Sequence, residues 1–311
     1  MRTTRTTVKY LARRLPEELE YMIFQLAGWS HRSALPRFLL VARRVKAWLE
    51  PILYNTLMHT CLRSHQYPPL TASSRAADYF KPGLKLSRHF KRVAPFFKNV
   101  MLQDLCAENA LVILELCVNI QNLALWRLTG GISILQPVIR SLPLKRVSLN
   151  VADLQGFSSA YPSPHTLADS SFIFDHTLYP HLTHLDIILM PSVRWESWSN
   201  LALMPHLTHL SCDFDSPALL QAILAHCGNL RMVLFAGPHN QFYEELSEEV
   251  LRDGRVVRLR EPVDLIPDWE LSAFDGEDVW ERAEKVLRKK EREASRALVS
   301  ERGKDKESDS S

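Results

Sequence analysis

Pro180-His181-Leu182-Thr183-His184-Leu185 recurs letter for letter as Pro205-His206-Leu207-Thr208-His209-Leu210. An identical hexapeptide 25 residues further along marks an internal repeat. Read for L-x-x-L-x-L, the same pattern recurs at Phe97/Val100/Leu102, Ile120/Leu123/Leu125, Leu144/Val147/Leu149, Leu182/Leu185/Ile187, Leu207/Leu210/Cys212 and Leu230/Val233/Phe235. Successive copies start 23, 24, 38, 25 and 23 residues apart. Four of those spacings fall in the range of about 20–29 residues that one strand and its return crossover occupy. The long one holds Gly156–His165, rich in Ser and Pro, which reads as an insertion within residues 155–175.

Between the strand patterns lie apolar helical stretches at Ala110–Cys117, Ile132–Leu142, Pro217–Cys227 and Phe242–Arg252, and a last strand is expected at Arg255–Arg260. The expected class is therefore α/β, with residues 95–265 forming a strand–helix solenoid like that of leucine-rich repeats. The ninth template position, where such repeats commonly place Asn, holds Leu128, Ala152, Met190, Asp215 and Pro238 instead. Period-two alternation places alternate strand residues outward on the concave sheet. Stacked, they read Asn99/Met101/Gln103, Asn122/Ala124/Trp126, Arg146/Ser148/Asn150, His184/Asp186/Ile188, His209/Ser211/Asp213 and Met232/Leu234/Ala236. Met101, Asn122, Trp126, Arg146, His184, Asp186, His209, Asp213 and Met232 are candidates for binding a protein target, since apolar anchors among polar neighbours suit a specific interface. The plainer reading is a solvated sheet, or one covered by another part of the chain. Stacking also sets His184 by His209, with Asp186 and Asp213 close. That is a possible zinc set, although stacking alone does not imply chelating geometry.

Residues 266–302 form the expected C-terminal cap. Pro267-Asp268-Trp269-Glu270 reads as a turn with a buried aromatic, and a helix from Gly276-Glu277-Asp278 to about Ser300 carries Val279, Ala283 and Leu287 on one side. Residues 303–311 are polar and expected to be disordered.

At the other end, Leu15-Pro16-Glu17-Glu18 should open a helix, with acids at its positive end and Leu19, Met22, Ile23 and Leu26 as an apolar stripe. A second helix carries Phe38, Val41, Ala42, Val45, Trp48, Leu49 and Ile52, with Pro51 marking a kink or break. Residues 15–60 are too few to build a deep core. The first fourteen residues read as a basic flexible arm, with a transit peptide as the sharper alternative. Residues 61–94 read as a basic linker, in which Lys81, Lys85, Arg88, Lys91 and Arg92 lack the aromatic interleaving expected for nucleic-acid binding.

The 311 residues carry a formal charge of +3. It is segregated: +13 over residues 1–100, −10 over 101–275 and zero beyond. Apolar runs are far too short to cross a bilayer, no secretory signal is expected, and five scattered cysteines point to a reducing compartment, cytoplasmic or nuclear. Motifs for phosphate loops, dinucleotide binding, zinc proteases and serine hydrolases are absent, so an enzyme is the least expected class, with no cofactor and no metal.

Leu15-Pro16-Glu17-Glu18-Leu19, Ile23-Phe24, the helix Phe38–Leu49 and Pro51-Ile52-Leu53-Tyr54-Asn55-Thr56-Leu57 together resemble an F-box. With Leu39–Val45, Trp48–Tyr54, Asp268-Trp269-Glu270 and Gly276–Ala283, the chain resembles the F-box-like proteins of mushroom-forming fungi over about residues 15–290. The resemblance implies a small helical module docking on the Skp-type adaptor of a cullin–RING ubiquitin ligase, with Leu15, Pro16, Leu19, Ile23, Phe24, Leu49, Leu53 and Tyr54 forming or supporting the adaptor-facing surface. The alternative is a leucine-rich scaffold that these helices merely cap.

Overall fold

A computed structural model describes residues 15–60, 70–71, 79–150, 173–188, 194–212, 216–236, 248–259, 261, 263–274 and 276–308. The chain divides into two compact units, residues 1–55 and 56–311.

The first unit is helical. Helix α1 spans Glu17–Ser30, with Glu17, Glu18 and Glu20 in its first turn, where carboxylates complement the helix dipole. Pro16 is the residue before it, and its carbonyl accepts from the amides of Leu19 and Glu20 at 3.0 and 3.1 Å. A short helix α2 (Leu35–Phe38) and helix α3 (Arg43–Leu53) follow. The single helix expected from Phe38 to Ile52 is thus broken at residues 39–42, whereas Pro51 lies inside α3 without ending it.

Leu35, Val45, Leu49 and Ile52 form this unit's core, with Phe24, Phe38 and Trp48 packed around them. Gly28 is the one buried residue of α1, because a Cβ there would stand 3.0 Å from Leu35 Cδ2 and 3.2 Å from Leu49 Cδ2. A side chain would hold the helices apart.

The second unit is α/β. Eight parallel strands lie in chain order: β1 (Thr56–His59), β2 (Asn99–Gln103), β3 (Asn122–Trp126), β4 (Arg146–Asn150), β5 (His184–Ile188), β6 (His209–Cys212), β7 (Met232–Ala236) and β8 (Val256–Leu259). Register follows the repeat, with Asn99, Asn122, Arg146, His184, His209 and Met232 in one row. β4 and β5 pair directly across the long spacing, so the insertion does not disturb the sheet. β1 was not expected; its Thr56-Leu57 falls within the stretch that resembles the end of an F-box.

Helices α4 (Arg88–Val93), α5 (Ala107–Leu114), α6 (Gln136–Ser141), α7 (Trp195–Trp198), α8 (Pro217–His226) and α9 (Glu248–Arg252) lie in the crossovers. In α4, Ser87 Oγ caps the first turn by accepting from Phe90 N at 3.0 Å. Phe90 and Val93 are fully buried, and Phe90 stacks on Phe97 at 5.7 Å. Arg88, Lys91 and Arg92 therefore lie on a helix whose other side, Phe90 and Val93, is core, while Lys81 and Lys85 precede it.

Two helices end the chain: α10 (Leu265–Ala273) and α11 (Val279–Ser308). Pro267 sits in the first turn of α10, where its missing N–H costs no helical hydrogen bond, so the expected turn is helix. α11 continues to Ser308, through residues expected to be disordered. Residues 1–14, the Gly156–His165 insertion and Asp213 lie outside the described residues. Among the described residues no helix is long and apolar enough to cross a membrane.

Candidate functional site

Two surfaces carry the candidate residues. Leu15 and Pro16, just before α1, are exposed, Leu15 to 51 %; on the helix Leu19 and Ile23 are 45 and 53 % exposed, and Met22 and Leu26 more so. The apolar stripe is thus the outer face of α1, while Phe24 and Gly28 look inward. Four large apolar side chains on one exposed helical face, with Leu15 just before it, far exceed the scattered single residues usual on a surface. Sequence reading had not singled out Met22 and Leu26 for this surface, although they belong to the stripe. The other adaptor-surface candidates lie elsewhere: Leu49 is fully buried in the helical core, Leu53 is half-buried against that core, and Tyr54 is buried. These three can support the surface only from within.

The row on the sheet is a different matter. Met101 and Met232 are fully buried, and Asn122, Trp126 and His209 nearly so. The expectation of an open concave ladder is therefore corrected: α10 and α11 lie on that face. Trp269 and Ala273 of α10 pack on Met101, Ala124 and Trp126, while Trp280, Ala283 and Leu287 of α11 pack on Met232, Leu234 and Val257. The C-terminal segment covers the face of the sheet as well as reaching its last strand, instead of only capping an end. The residues of the other face, such as Val100, Leu102, Leu123 and Leu125, are equally buried. Both faces of this parallel sheet are covered, as parallel sheets usually require, although Asn99, Arg146, His184, Asp186 and Ile188 stay half-buried.

Polar residues of the row serve this cover. Asn99 Nδ2 and Thr56 Oγ1 donate to the carbonyl of Ala273, at 3.2 and 3.1 Å, satisfying an acceptor at the C-terminus of α10. Arg146 donates to Asp278 Oδ2 at 2.9 Å and to Ser272 Oγ at 3.0 Å. Asp278 Oδ1 accepts from Glu281 N at 2.8 Å and Asp268 Oδ2 accepts from Val279 N at 2.9 Å, so two carboxylates cap α11. Asp268 also pairs with Arg282 at 2.5 Å, yet burial holds its carboxyl above the usual carboxylate range. Lys290 Nζ donates to the Val256 carbonyl at 2.8 Å, on the last strand.

His184 and His209 stack in parallel, 4.1 Å between centroids and 9° between planes, with Trp280 perpendicular to both at 5.2 and 5.9 Å. The Nε2–H of His209 donates to Glu284 Oε1 at 2.9 Å, leaving Nδ1 to accept from Thr208 Oγ1 at 2.7 Å. Burial pushes the His184 imidazole down to about 2, helped by the neighbouring His209 and Arg146. His209 is lowered by the same desolvation, against the pull of Glu284. Both rings are neutral at pH 7. Face-to-face rings do not converge on a common ion, and no cluster of metal-ligating side chains occurs among the described residues.

Trp126 Nε1 donates to Ser148 Oγ at 2.9 Å, and Ser148 Oγ donates in turn to Asp186 Oδ2 at 2.6 Å. This relay lies beside Arg146, under the join between α10 and α11. Sequence reading missed it because Ser148 carried no signal apart from its ladder position. No protein-family model matches the chain, and no curated protein matches it.

Proposed function

We propose that the protein is a protein-interaction subunit whose N-terminal helical module is an F-box-like unit docking on a Skp-type adaptor of a cullin–RING ubiquitin ligase. The observation that carries this reading is the exposed apolar face of α1, with Leu15, Leu19, Met22, Ile23 and Leu26 turned to solvent from a module that keeps its own small core. Burying such a face against a partner gains about 25 cal/mol per Å². The eight-stranded unit is then the leucine-rich-repeat-like body that holds a target near the ligase, acting by effective concentration and not by chemistry of its own. Because α10 and α11 occupy the sheet face, the target binds elsewhere on that body or on the cover itself.

The test is capture of a purified fungal Skp-type adaptor by the full chain and by Leu15→Asp and Leu19→Asp. Both positions are exposed, so the variants should fold, and each should lose capture. Capture that survives both substitutions, or no capture by folded wild-type protein, overturns the docking role and leaves a scaffold.

A further inference from the structure

α11 lays one side on the sheet and turns the other to water. Val279, Trp280, Ala283 and Leu287 pack on residues of β7 and β8. Opposite them, Lys285, Arg288, Lys289, Arg292 and Arg296 recur at helical spacing, and all five are exposed. At about 1.5 Å per residue they form a ridge about 16 Å long. With Glu293 on its flank, the ridge lines an open groove of about 380 Å³, in which anionic oxygens would find five cationic heads around them. Glu281, one turn before Lys285, begins the ridge with an acid.

The acidic partners of these cations hold them loosely. Lys285 meets Glu277 at 2.8 Å, Arg288 meets Glu284 at 3.5 Å and Lys289 meets Glu293 at 4.0 Å, each cation being well exposed. Pairs of this kind are screened by salt and exchange readily for another anion. Glu284 is in any case engaged by His209 at 2.9 Å. Arg292 and Arg296 have no acidic partner among the described residues.

We propose that this ridge is a docking surface for duplex DNA, held by its phosphate backbone and not by its sequence. The partner follows from what the ridge has and what it lacks. Three of the five cations are arginines, whose planar fork takes phosphate oxygens in pairs. A duplex carries one charge per about 1.7 Å of its axis, so a straight ridge of about 16 Å faces about ten phosphates. No aromatic or aliphatic side chain stands among the five cations. The ridge therefore offers neither the apolar anchors of a protein interface nor a stacking platform for single-stranded bases. The apolar side of the helix is committed to the sheet, so it has none to lay into a lipid surface. The ridge belongs to the eight-stranded unit and owes nothing to the adaptor-docking role proposed for α1; either can fail alone.

The experiment is fluorescence anisotropy of a labelled, mixed-sequence DNA duplex of about 20 base pairs, titrated with the full chain between about 50 and 200 mM salt. Five phosphate contacts give a slope of log K against log salt of about −4.5, a loss of several hundred-fold over that range. Arg292→Gln with Arg296→Gln should leave the thermal melt in place and bring the slope to about −2.7. Arg88→Gln with Lys91→Gln, on the basic side of α4, should leave the slope at the wild-type value. Polyglutamate, a single strand of the same length, and vesicles of mixed phosphatidylserine and phosphatidylcholine should each bind more weakly than the duplex. The proposal is overturned by an unchanged slope in the α11 variant, by an equal drop in the α4 variant, or by tighter binding of any of the three competitors. Absence of saturable binding by folded protein up to about 100 μM at the lowest salt overturns it as well.

Discussion

Trp280→Ala tests whether the C-terminal cover is part of the core or a loose strap upon it. Trp280 is 91 % buried among Met232, Leu234, Val257, Ala283 and Leu287, with both stacked histidines perpendicular to it. A tryptophan so placed removes about 200 Å² from water, which at 25 cal/mol per Å² amounts to about 5 kcal/mol. Large-to-small substitutions of this kind typically cost ~3–5 kcal/mol. Against a whole-domain stability of about 5–15 kcal/mol, that is a large share. Urea unfolding should therefore show a midpoint lowered by an amount equivalent to ~3–5 kcal/mol. Hydrogen exchange should rise in α11 and in β7 and β8 together, because one cluster joins them. Lys285→Ala, on the exposed side of the same helix, should leave both measurements unchanged. A loss below about 1 kcal/mol, or faster exchange confined to α11, would refute the view that cover and sheet share one core.

Arg146→Ala should destabilise by about 1–2 kcal/mol, a value discounted for the partial exposure of the guanidinium, because it strands the buried Asp278 carboxylate; a double-mutant cycle with Asp278→Asn should show the two changes to be non-additive. Acid should weaken the fold through His184. The unfolded imidazole takes its proton near pH 6.5 and the folded one only near pH 2, so the stabilisation is complete above pH 6.5 and drains away as pH falls. The loss between pH 6.5 and 5 should approach about 2 kcal/mol, with His209, Arg146 and Trp280 as its neighbours, and His184→Gln should flatten the slope over that range. Gly28→Val should cost roughly 1–3 kcal/mol in the helical module, read from its thermal melt, since Leu35 and Leu49 already stand where the new carbons would go.

Much of the sheet was legible. The repeated hexapeptide and its variants predicted six strands and their side-by-side register, from Asn99↔Asn122 to His209↔Met232, and Arg255–Arg260 anticipated the last strand. Register could be read because period-two alternation ties each side chain to a face, and a slip of one residue would turn the whole apolar set over. β1 was hidden because, in the template positions Tyr54, Leu57 and His59, a histidine stands where the third apolar residue belongs, and Tyr54 lies 43 residues before Phe97, outside the repeat spacing. The break at residues 39–42 was hidden too, because Phe38, Val41, Ala42 and Val45 keep helical spacing through it.

The candidate site was legible by position and misread in exposure. Asn, Arg, Ser and His along the row look like a wet surface, and only the tertiary fold shows their partners: Asn99 on Ala273, Arg146 on Asp278, His209 on Glu284. Those partners lie between 75 and 174 residues away. No local pattern announces contacts at such a distance, although Trp269 and the Val279, Ala283 and Leu287 spacing did mark the cover's apolar side. On α1 the stripe was read correctly and its direction was not fixed, since periodicity finds an apolar face without saying whether water or protein lies against it.

Strand order that matches chain order has a consequence for birth on the ribosome. Each strand of the sheet can pair with the one just made, so β1 to β8 can assemble as they emerge. The covering segment, residues 265–308, is completed roughly 2.5 to 10 seconds after β8, at about 5–20 residues per second. For that interval Met101, Trp126, Met232 and Leu234 stand uncovered on a finished sheet. The nascent chain therefore passes through a sticky stage that the released protein never shows, and a stop codon anywhere before Leu265 would make that stage permanent.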